Sequence, residues 1–172
     1  FGGRPKNDGL ILRIVPDEVM RGLELRKGTI DIFVNDVSPD IVHQLRNDPE
    51  LQTIEAPGVD YQYIGLNLRD PALRDVRVRQ ALALAVDRTE ILQAAAAGLG
   101  SVTGPLTPAM KPWALPVETF REWYTPNPDR AKKLLAEAGF PSGFKTTLKV
   151  IPTFPTMVAG AQVIAAQLKK IG

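Results

Sequence analysis

The sequence has no cysteine and a single histidine, and each shortage excludes a class of site. Without cysteine the chain forms no disulfide, no zinc–thiolate centre and no cysteine nucleophile. His43 lies in the middle of a predicted helix, whereas a general base or a metal ligand needs a second imidazole or a fixed partner beside it. We therefore interpret His43 as a surface or boundary residue.

Long apolar runs and basic runs are also missing. The longest apolar stretch, around residues 81–86, falls far short of the ~20 residues that a membrane-spanning helix needs. The formal net charge is +2, and basic residues alternate with acidic ones along the predicted helices, which argues against a nucleic-acid partner. The chain starts at Phe1 without a charged segment followed by an apolar one, so we expect an internal fragment that carries no signal peptide.

Motifs for nucleotide binding and catalysis are absent as well. No Gly-x-Gly-x-x-Gly follows a predicted strand, no Walker motif occurs, and no serine lies in a nucleophile elbow. The carboxylates fall mostly at helix starts and turns, where they accept hydrogen bonds from free backbone N–H groups. We therefore predict no catalytic residue, no metal ligand and no cofactor, and we interpret the chain as part of a non-enzymatic protein.

What the sequence does contain is the pattern of an α/β protein. Hydrophobic residues make up 44% and charged residues 23%, as in soluble globular domains. Three short runs of branched residues alternate with helices that begin at Asp17 and Ser38, and we predict these runs as strands at 10–15, 29–35 and 51–55. This alternation predicts a mostly parallel sheet. The inner face of the first helix is predicted to carry Val19, Met20, Leu23 and Arg26.

A boundary at residues 56–58 divides the chain into segments 1–58 and 59–172. The second segment begins with a predicted strand at 61–68, followed by two consecutive helices. Asp75 is predicted to cap the first helix, with an inner face of Val78, Ala81, Leu82 and Ala85, and Asp87 with Glu90 forms a capping box for the second. After a proline-rich region at 101–126 we predict a helix from Asn127 to Gly139, a strand at 144–150 and a last helix at 156–170.

The exact residues at several positions are more informative about the protein family than the hydrophobic periodicity is. The sequence carries Asn67, the octapeptide Asp-Val-Arg-Val-Arg-Gln-Ala-Leu at 75–82, Ala-Val-Asp-Arg at 85–88, and Asn-Pro-Asp-Arg-Ala-Lys-Lys-Leu-Leu-Ala-Glu-Ala-Gly-Phe-Pro at 127–141. These phrases, in this order, closely resemble the family 5 extracellular solute-binding proteins, which are the peptide- and nickel-binding receptors of ABC importers. The resemblance spans nearly the whole chain.

The resemblance implies both a fold and a function. The fold class is α/β, the middle segment of a two-lobed periplasmic-binding-protein (type II) fold with mixed sheets flanked by helices. Residues 1–58 are expected to form part of the first lobe, and residues 59–172 the strand that crosses between the lobes and part of the second. The implied function is to capture peptides or a similar small solute between the lobes and deliver it to ABC permease subunits.

The implied location is periplasmic or extracellular, at the membrane through the transporter or through a lipid anchor outside this chain. Receptors for peptides, nickel chelates, oligosaccharides and opines share this middle segment, so the resemblance leaves the ligand open. The residues that the family uses to hold peptide termini or metal chelates lie mostly outside 1–172, and we transfer none of them. We therefore expect the 172-residue chain alone to bind little or nothing.

Candidate ligand-binding residues are Tyr61, Tyr63 and Asn67 on the crossing strand, and Trp113 in the proline-rich region. Two interpretations stay open for the tyrosines. They fill the core and hydrogen-bond a neighbouring strand, or they line the floor of an interlobe cleft beside an extended ligand. Trp113 likewise covers the core or lines the cleft or a partner surface.

Two other classes of protein fit the same pattern. An α/β enzyme domain with a site near Tyr61 to Asn67 would need titratable groups that converge there. An interaction module would instead use unpaired sheet edges, and these would pair with a second copy of the chain.

Overall fold

The computed structural model describes residues 3–4, 6–35, 37–56 and 58–172. Two short 3₁₀ turns, Pro108–Met110 and Val117–Phe120, accompany the α-helices, which are α1 Glu18–Arg26, α2 Pro39–Arg46, α3 Pro71–Arg74, α4 Val76–Ala85, α5 Arg88–Ala96, α6 Arg121–Tyr124, α7 Pro128–Glu137 and α8 Pro155–Leu168. The chain divides into two compact units, Phe1–Ile54 and Glu55–Gly172. Within the described ranges, no helix has the length and hydropathy of a bilayer span.

The predicted strands do not form. None of the segments 10–15, 29–35, 51–55, 61–68 and 144–150 makes a strand with another described residue, so the mixed sheets are absent from this part of the chain. Ile11 and Ile14, in the first of these segments, are 90% and 92% exposed. A strand is stable only when a neighbour takes up its backbone hydrogen bonds and a packed layer covers one face. No described residue pairs with any of these segments as a neighbouring strand, although Phe144 of the last one packs against the helical core.

The first unit is organised by the contact between α1 and α2. The Asp17 side chain caps α1 by accepting a hydrogen bond from the Met20 N–H at 2.8 Å. The buried residue of α1 is Gly22, where an added Cβ would lie 3.3 Å from Ile41 Cγ2 of α2. The close approach of α2 at this glycine leaves little room for larger neighbours in the interface.

The predicted inner face of α1 is therefore wrong. All four of its residues are exposed: Val19, Met20, Leu23 and Arg26. The Arg26 side chain forms an ion pair with Asp48 at 3.0 Å. The predicted cap of α2 also differs in detail. Ser38 occupies the N-cap position without a side-chain cap bond, and its N–H donates to Glu18 Oε2 at 2.7 Å.

The second unit is built around α4, which contacts α3, α6, α7 and α8. Its core is a single cluster of buried apolar residues in which Val78 and Ala81 are fully buried and Leu84 is 1% exposed: Leu73, Val78, Ala81, Leu84, Ala85, Ala131, Leu135 and Ile171. The predicted inner positions of α4 are confirmed, with Leu82 at the edge of the cluster. The prediction missed Leu84, because packing against helices on several sides widens the buried face.

Three predicted helix starts are confirmed by their caps. The side chain of Asp75 accepts from the Arg77 N–H at 2.8 Å, and that of Asn127 accepts from the Arg130 N–H at 3.0 Å. Asp87 Oδ1 accepts from the N–H groups of Thr89 and Glu90 at 2.9 and 3.0 Å. These bonds satisfy backbone donors that have no partner inside the helix.

The predicted capping box is only half formed, because Gln167 of α8 takes the place of its second bond. Gln167 Oε1 accepts from the Asp87 N–H at 3.1 Å, and its Nε2 donates to Glu90 Oε2 at 2.7 Å and to the Asp87 carbonyl at 3.2 Å. Gln167 is buried, and each of its bonds joins α8 to the start of α5. The polar atoms of the buried Gln167 side chain are thus hydrogen-bonded at the start of α5.

Arg77 ties the first turn of α4 to the last turn of α7. Its Nη2 lies 2.6 Å from Asp75 Oδ2, and its Nη1 donates to the Glu137 carbonyl at 2.6 Å. The hydrogen bonds from the Arg77 side chain and backbone lower the pKa of Asp75 to about 2. The ionised carboxylate is therefore the form that the folded chain favours.

We expect Asp75→Asn to flatten the acid end of the stability profile. The folded pKa of Asp75, about 2, lies below its ordinary value of 3.8. The ionised carboxylate therefore contributes fully to folding stability above pH 3.8, and this contribution is lost as the pH falls toward 2. Asparagine keeps an oxygen for the Arg77 N–H but removes the charge. Urea midpoints of the wild type should exceed those of the variant near neutral pH and converge with them near the acid limit; parallel profiles would contradict this assignment.

Leu84→Ala should cost about 2–5 kcal/mol of unfolding free energy, because it opens a cavity in the packed centre of the helical cluster. Leu115→Ala is the matched control, since that leucine is 60% exposed; its cost should stay within about 0.5 kcal/mol. Urea denaturation followed by circular dichroism measures both. Equal costs for the two variants would show that Leu84 is not central.

Candidate functional site

The candidate site centres on residues 58–68, which we call the crossing segment. Tyr61 and Tyr63 lie side by side, with ring centroids 5.6 Å apart and an angle of 40° between the ring planes. Both rings are exposed, Tyr63 at 77%. Residues two apart on an extended chain point to the same side, which explains the pairing. The pair presents an apolar surface with two hydroxyl groups.

Two side-chain hydrogen bonds fasten this segment to the rest of the second unit. The buried Thr107 hydroxyl donates to the Gly58 carbonyl at 3.4 Å, and Gln62 Nε2 donates to Thr156 Oγ1 at 3.3 Å. The crossing segment thus touches the proline-rich region at one point and the first turn of α8 at another. Neither partner was predicted from the sequence, because the bonds join residues far apart in the chain and no spacing encodes them.

Asn67 has a local role at the end of the crossing segment. Its Oδ1 accepts from the Arg69 N–H at 3.1 Å, and its carbonyl accepts from the Asp70 N–H at 3.1 Å. This is the turn geometry that asparagine favours. The turn leads directly to Asp70, whose side chain caps α3.

Trp113 lies apart from the tyrosine pair. Its side chain is 71% exposed, and its backbone N–H donates to the Met110 carbonyl at 3.0 Å. Among the residues that the structure describes, no aromatic contact joins Trp113 to either tyrosine. The structure therefore brings Tyr61 and Tyr63 together and places Asn67 in the adjoining turn, with Trp113 on a separate loop.

Few ionisable side chains lie in the sequence close to the tyrosine pair. Asp60 lies within the crossing segment, Arg69 and Asp70 follow it directly, and the carboxylate of Asp70 is engaged as a helix cap. In the described ranges no cluster of three or more histidine or acidic side chains is arranged to hold a metal ion. Exposed rings, hydroxyl groups and backbone groups are the features that this surface offers to a ligand.

A separate open groove of about 670 Å³ lies against the helical cluster. Its walls come from α4, α7, α8 and residues 144–148, and they are mainly apolar: Leu82, Leu135, Phe144, Leu148, Leu168 and Ile171. Lys145 and Lys169 also line it. The groove contains neither tyrosine of the candidate site.

Comparison with known proteins gives a match over the full chain. The family model for bacterial extracellular solute-binding proteins, family 5 Middle, matches residues 1–172. The chain is 36% identical over 175 residues to the heme-binding protein A of Haemophilus influenzae, covering 99% of this chain and 31% of that protein. It is 32% identical over 177 residues to the dipeptide-binding protein of Escherichia coli K12, covering 100% of this chain and 32% of that protein.

Solved structures give the same family resemblance. A periplasmic binding protein from Helicobacter pylori, DppA in complex with the peptide STSA, matches with a TM-score of 0.70 at 27% identity, over 93% of this chain and 30% of that one. The oligopeptide-binding protein AppA of Bacillus subtilis, in complex with a nonapeptide, matches with a TM-score of 0.66 at 27% identity, over 92% and 33%. The chain thus spans about a third of the length of these relatives.

Thr107→Val should loosen the crossing segment. The variant keeps the shape of the buried side chain but removes the donor to the Gly58 carbonyl, at a cost of about 0.5–1.5 kcal/mol. Limited chymotrypsin digestion should then cut faster after Tyr61 and Tyr63. Thr119→Val, at an exposed threonine, is the control and should leave the cleavage rate unchanged. Identical rates in the two variants would argue against the anchor.

Proposed function

Since the chain belongs to the bacterial extracellular solute-binding proteins of family 5, we propose that it is the middle segment of a longer receptor that binds a peptide for an ABC importer. The observation that carries the proposal is the match of this family over residues 1–172, together with the likeness to peptide-bound receptors of known structure. Such a receptor captures its solute between two lobes that close about a hinge, and it makes and breaks no covalent bond.

The exposed apolar segments support a place within a larger fold. Ile11, Ile14 and Ile32 have side chains at least three-quarters exposed, and the relatives are about three times as long as this chain. In the intact receptor, segments outside 1–172 pair with these stretches and complete the mixed sheets. Residues 1–58 belong to the first lobe, and residues 59–172 supply the crossing strand and part of the second.

Peptide is the ligand that the comparisons favour. The relatives include dipeptide-binding and di/tripeptide-binding proteins, and two of the matching structures hold a peptide. Heme is the second candidate, because the heme-binding protein A of Haemophilus influenzae is 36% identical to this chain. A binding assay therefore needs both ligand classes.

The tyrosine pair supports a cleft surface at the crossing segment. Tyr61 and Tyr63 present exposed rings, which offer large contact area at low entropic cost, and an extended peptide can also hydrogen-bond the backbone beside them. Asn67 shapes the turn that ends this segment, and Trp113 adds a further exposed ring. Ligand recognition by these groups needs no titratable centre, which favours a receptor over the α/β enzyme alternative.

The partners follow from the same proposal. The receptor works in the periplasm or outside the cell and delivers its solute to ABC permease subunits. Self-association through unpaired edges of this chain is the competing outcome, because the exposed stretches that would join a sheet in the receptor can also pair with a second copy.

We expect the intact receptor to bind a short peptide such as tri-alanine with a micromolar or lower Kd, measured by isothermal titration calorimetry alongside hemin. Loss of an aromatic contact costs about 1–2 kcal/mol, so Tyr63→Ala and Trp113→Ala should each weaken binding roughly tenfold. Val76→Ala, at an exposed position on α4, should leave the affinity unchanged.

Three outcomes of this titration contradict parts of the proposal. Hemin binding without peptide binding would show that the ligand is heme and not peptide. Unchanged affinity in both aromatic variants would remove these residues from the site. Equal peptide affinity of the 172-residue chain and the intact receptor would contradict capture between two lobes.

A further inference from the structure

The loop that carries Trp113, residues 105–119, is closed at its base by a contact between the residues that flank it. Gly104 precedes the loop and Phe120 follows it. Gly104 is buried, and a Cβ added there would overlap the Phe120 ring. The absence of a side chain at Gly104 is therefore what allows the two ends of the loop to meet.

The Phe120 ring is held in turn by a stack of planar groups. It lies on the Tyr124 ring with centroids 5.5 Å apart and an angle of 27° between the planes. The guanidinium carbon of Arg88 lies 3.8 Å from the centroid of Tyr124. Arg88, Tyr124, Phe120 and the Gly104 backbone thus form a continuous column, which we call the Arg88 column. Stacked aromatic and cation–π contacts of this kind are attractive beyond simple burial.

The Arg88 end of the column is hydrogen-bonded to the end of α4. Arg88 Nη1 donates to the carbonyls of Ala83 and Val86, at 3.2 and 3.1 Å, at the C-terminal end of α4. Between them, the Leu84 carbonyl accepts from the Asn127 N–H at 2.8 Å. A cation at a helix C-terminus also meets the negative end of the helix dipole. Burial lowers the pKa of Arg88, which reflects how far its guanidinium is withdrawn from water.

The sequence of the loop restricts its backbone. Pro105, Pro108, Pro112 and Pro116 each fix a backbone dihedral angle, and the Trp113 N–H is bonded to the Met110 carbonyl. A displacement at the base of such a restricted, closed loop moves the whole loop. The position of the exposed Trp113 side chain therefore depends on the column beneath it.

We propose that Arg88 is a positioning residue for Trp113, acting through the stacked rings of Tyr124 and Phe120. The contacts that form the column all lie within the second unit and do not depend on the identity of the ligand. Its consequence for ligand capture rests on the proposed function, in which Trp113 touches the bound peptide. The sequence alone did not predict this role for Arg88, because in the sequence Arg88 is simply the first residue after the helix cap Asp87.

The test uses the intact, unliganded receptor with 5-fluorotryptophan, and fluorine NMR with the Trp113 resonance assigned by its loss in Trp113→Phe. Arg88→Lys keeps the charge and a donor but loses the planar group that stacks on Tyr124. We expect the Trp113 resonance to shift by more than its linewidth or to split. Gly104→Ala, which forces Phe120 away from the loop base, should give the same change.

The controls separate positioning from general destabilisation. Tyr124→Phe keeps the stacked ring but loses the hydroxyl that also interacts with Arg88, so we expect a smaller change than Arg88→Lys gives. Gly160→Ala is a second buried glycine substitution, on α8, where the added Cβ meets Ile91 Cγ2 at an ordinary 3.5 Å; it should leave the resonance in place. If Arg88→Lys does not fold, Gly104→Ala and Tyr124→Leu decide the matter.

An unchanged Trp113 resonance in the folded variants of the column overturns the inference. So does an equal shift in the Gly160→Ala control, because the effect would then be nonspecific. The peptide titrations described above judge the proposed function separately. A shifted resonance with no loss of peptide affinity in Trp113→Ala would leave the column in place and remove Trp113 from the ligand site.

Discussion

The packing of α4 against α7 is the contact on which the second unit depends. Ala81 and Ala131 are both fully buried, and their small side chains allow the two helix backbones to come close. Leu84 and Leu135 fill the space beside them. Polar bonds then close the ends of the same pair, through Arg77 at the start of α4 and the Asn127 N–H at its end. The candidate site and the Arg88 column are both attached to this helical layer.

The extended segments of the chain obey a different constraint. A helix satisfies most of its backbone internally, and the caps and packing partners of α4 and α7 lie within the described chain. A strand needs another strand, and the apolar side chains at 10–14 stay exposed because no described residue covers them. The helices of this segment are thus formed within the chain, whereas under the proposed function its extended segments join sheets completed by the rest of a longer receptor.

This difference also explains how much could be predicted from the sequence. The starts at Asp75, Asp87 and Asn127 were predictable because a cap joins groups two or three residues apart. The second bond of the capping box was not, because Gln167 lies 80 residues from Asp87. The buried glycine of α1 and the fully buried Leu84 likewise depend on which helix packs where. In the site, the pairing of Tyr61 with Tyr63 follows from their spacing, but the anchors at Thr107 and Thr156 do not.

The central claim is that the helical layer around α4 is self-sufficient while the extended segments require outside partners. Hydrogen–deuterium exchange of the 172-residue chain, resolved by peptide, tests it most directly. The account predicts slow exchange in α4 and α7 and exchange near the rate of an unstructured peptide at 10–15 and 145–150. Protection of those two segments equal to that of α4, or an unprotected α4, would contradict it.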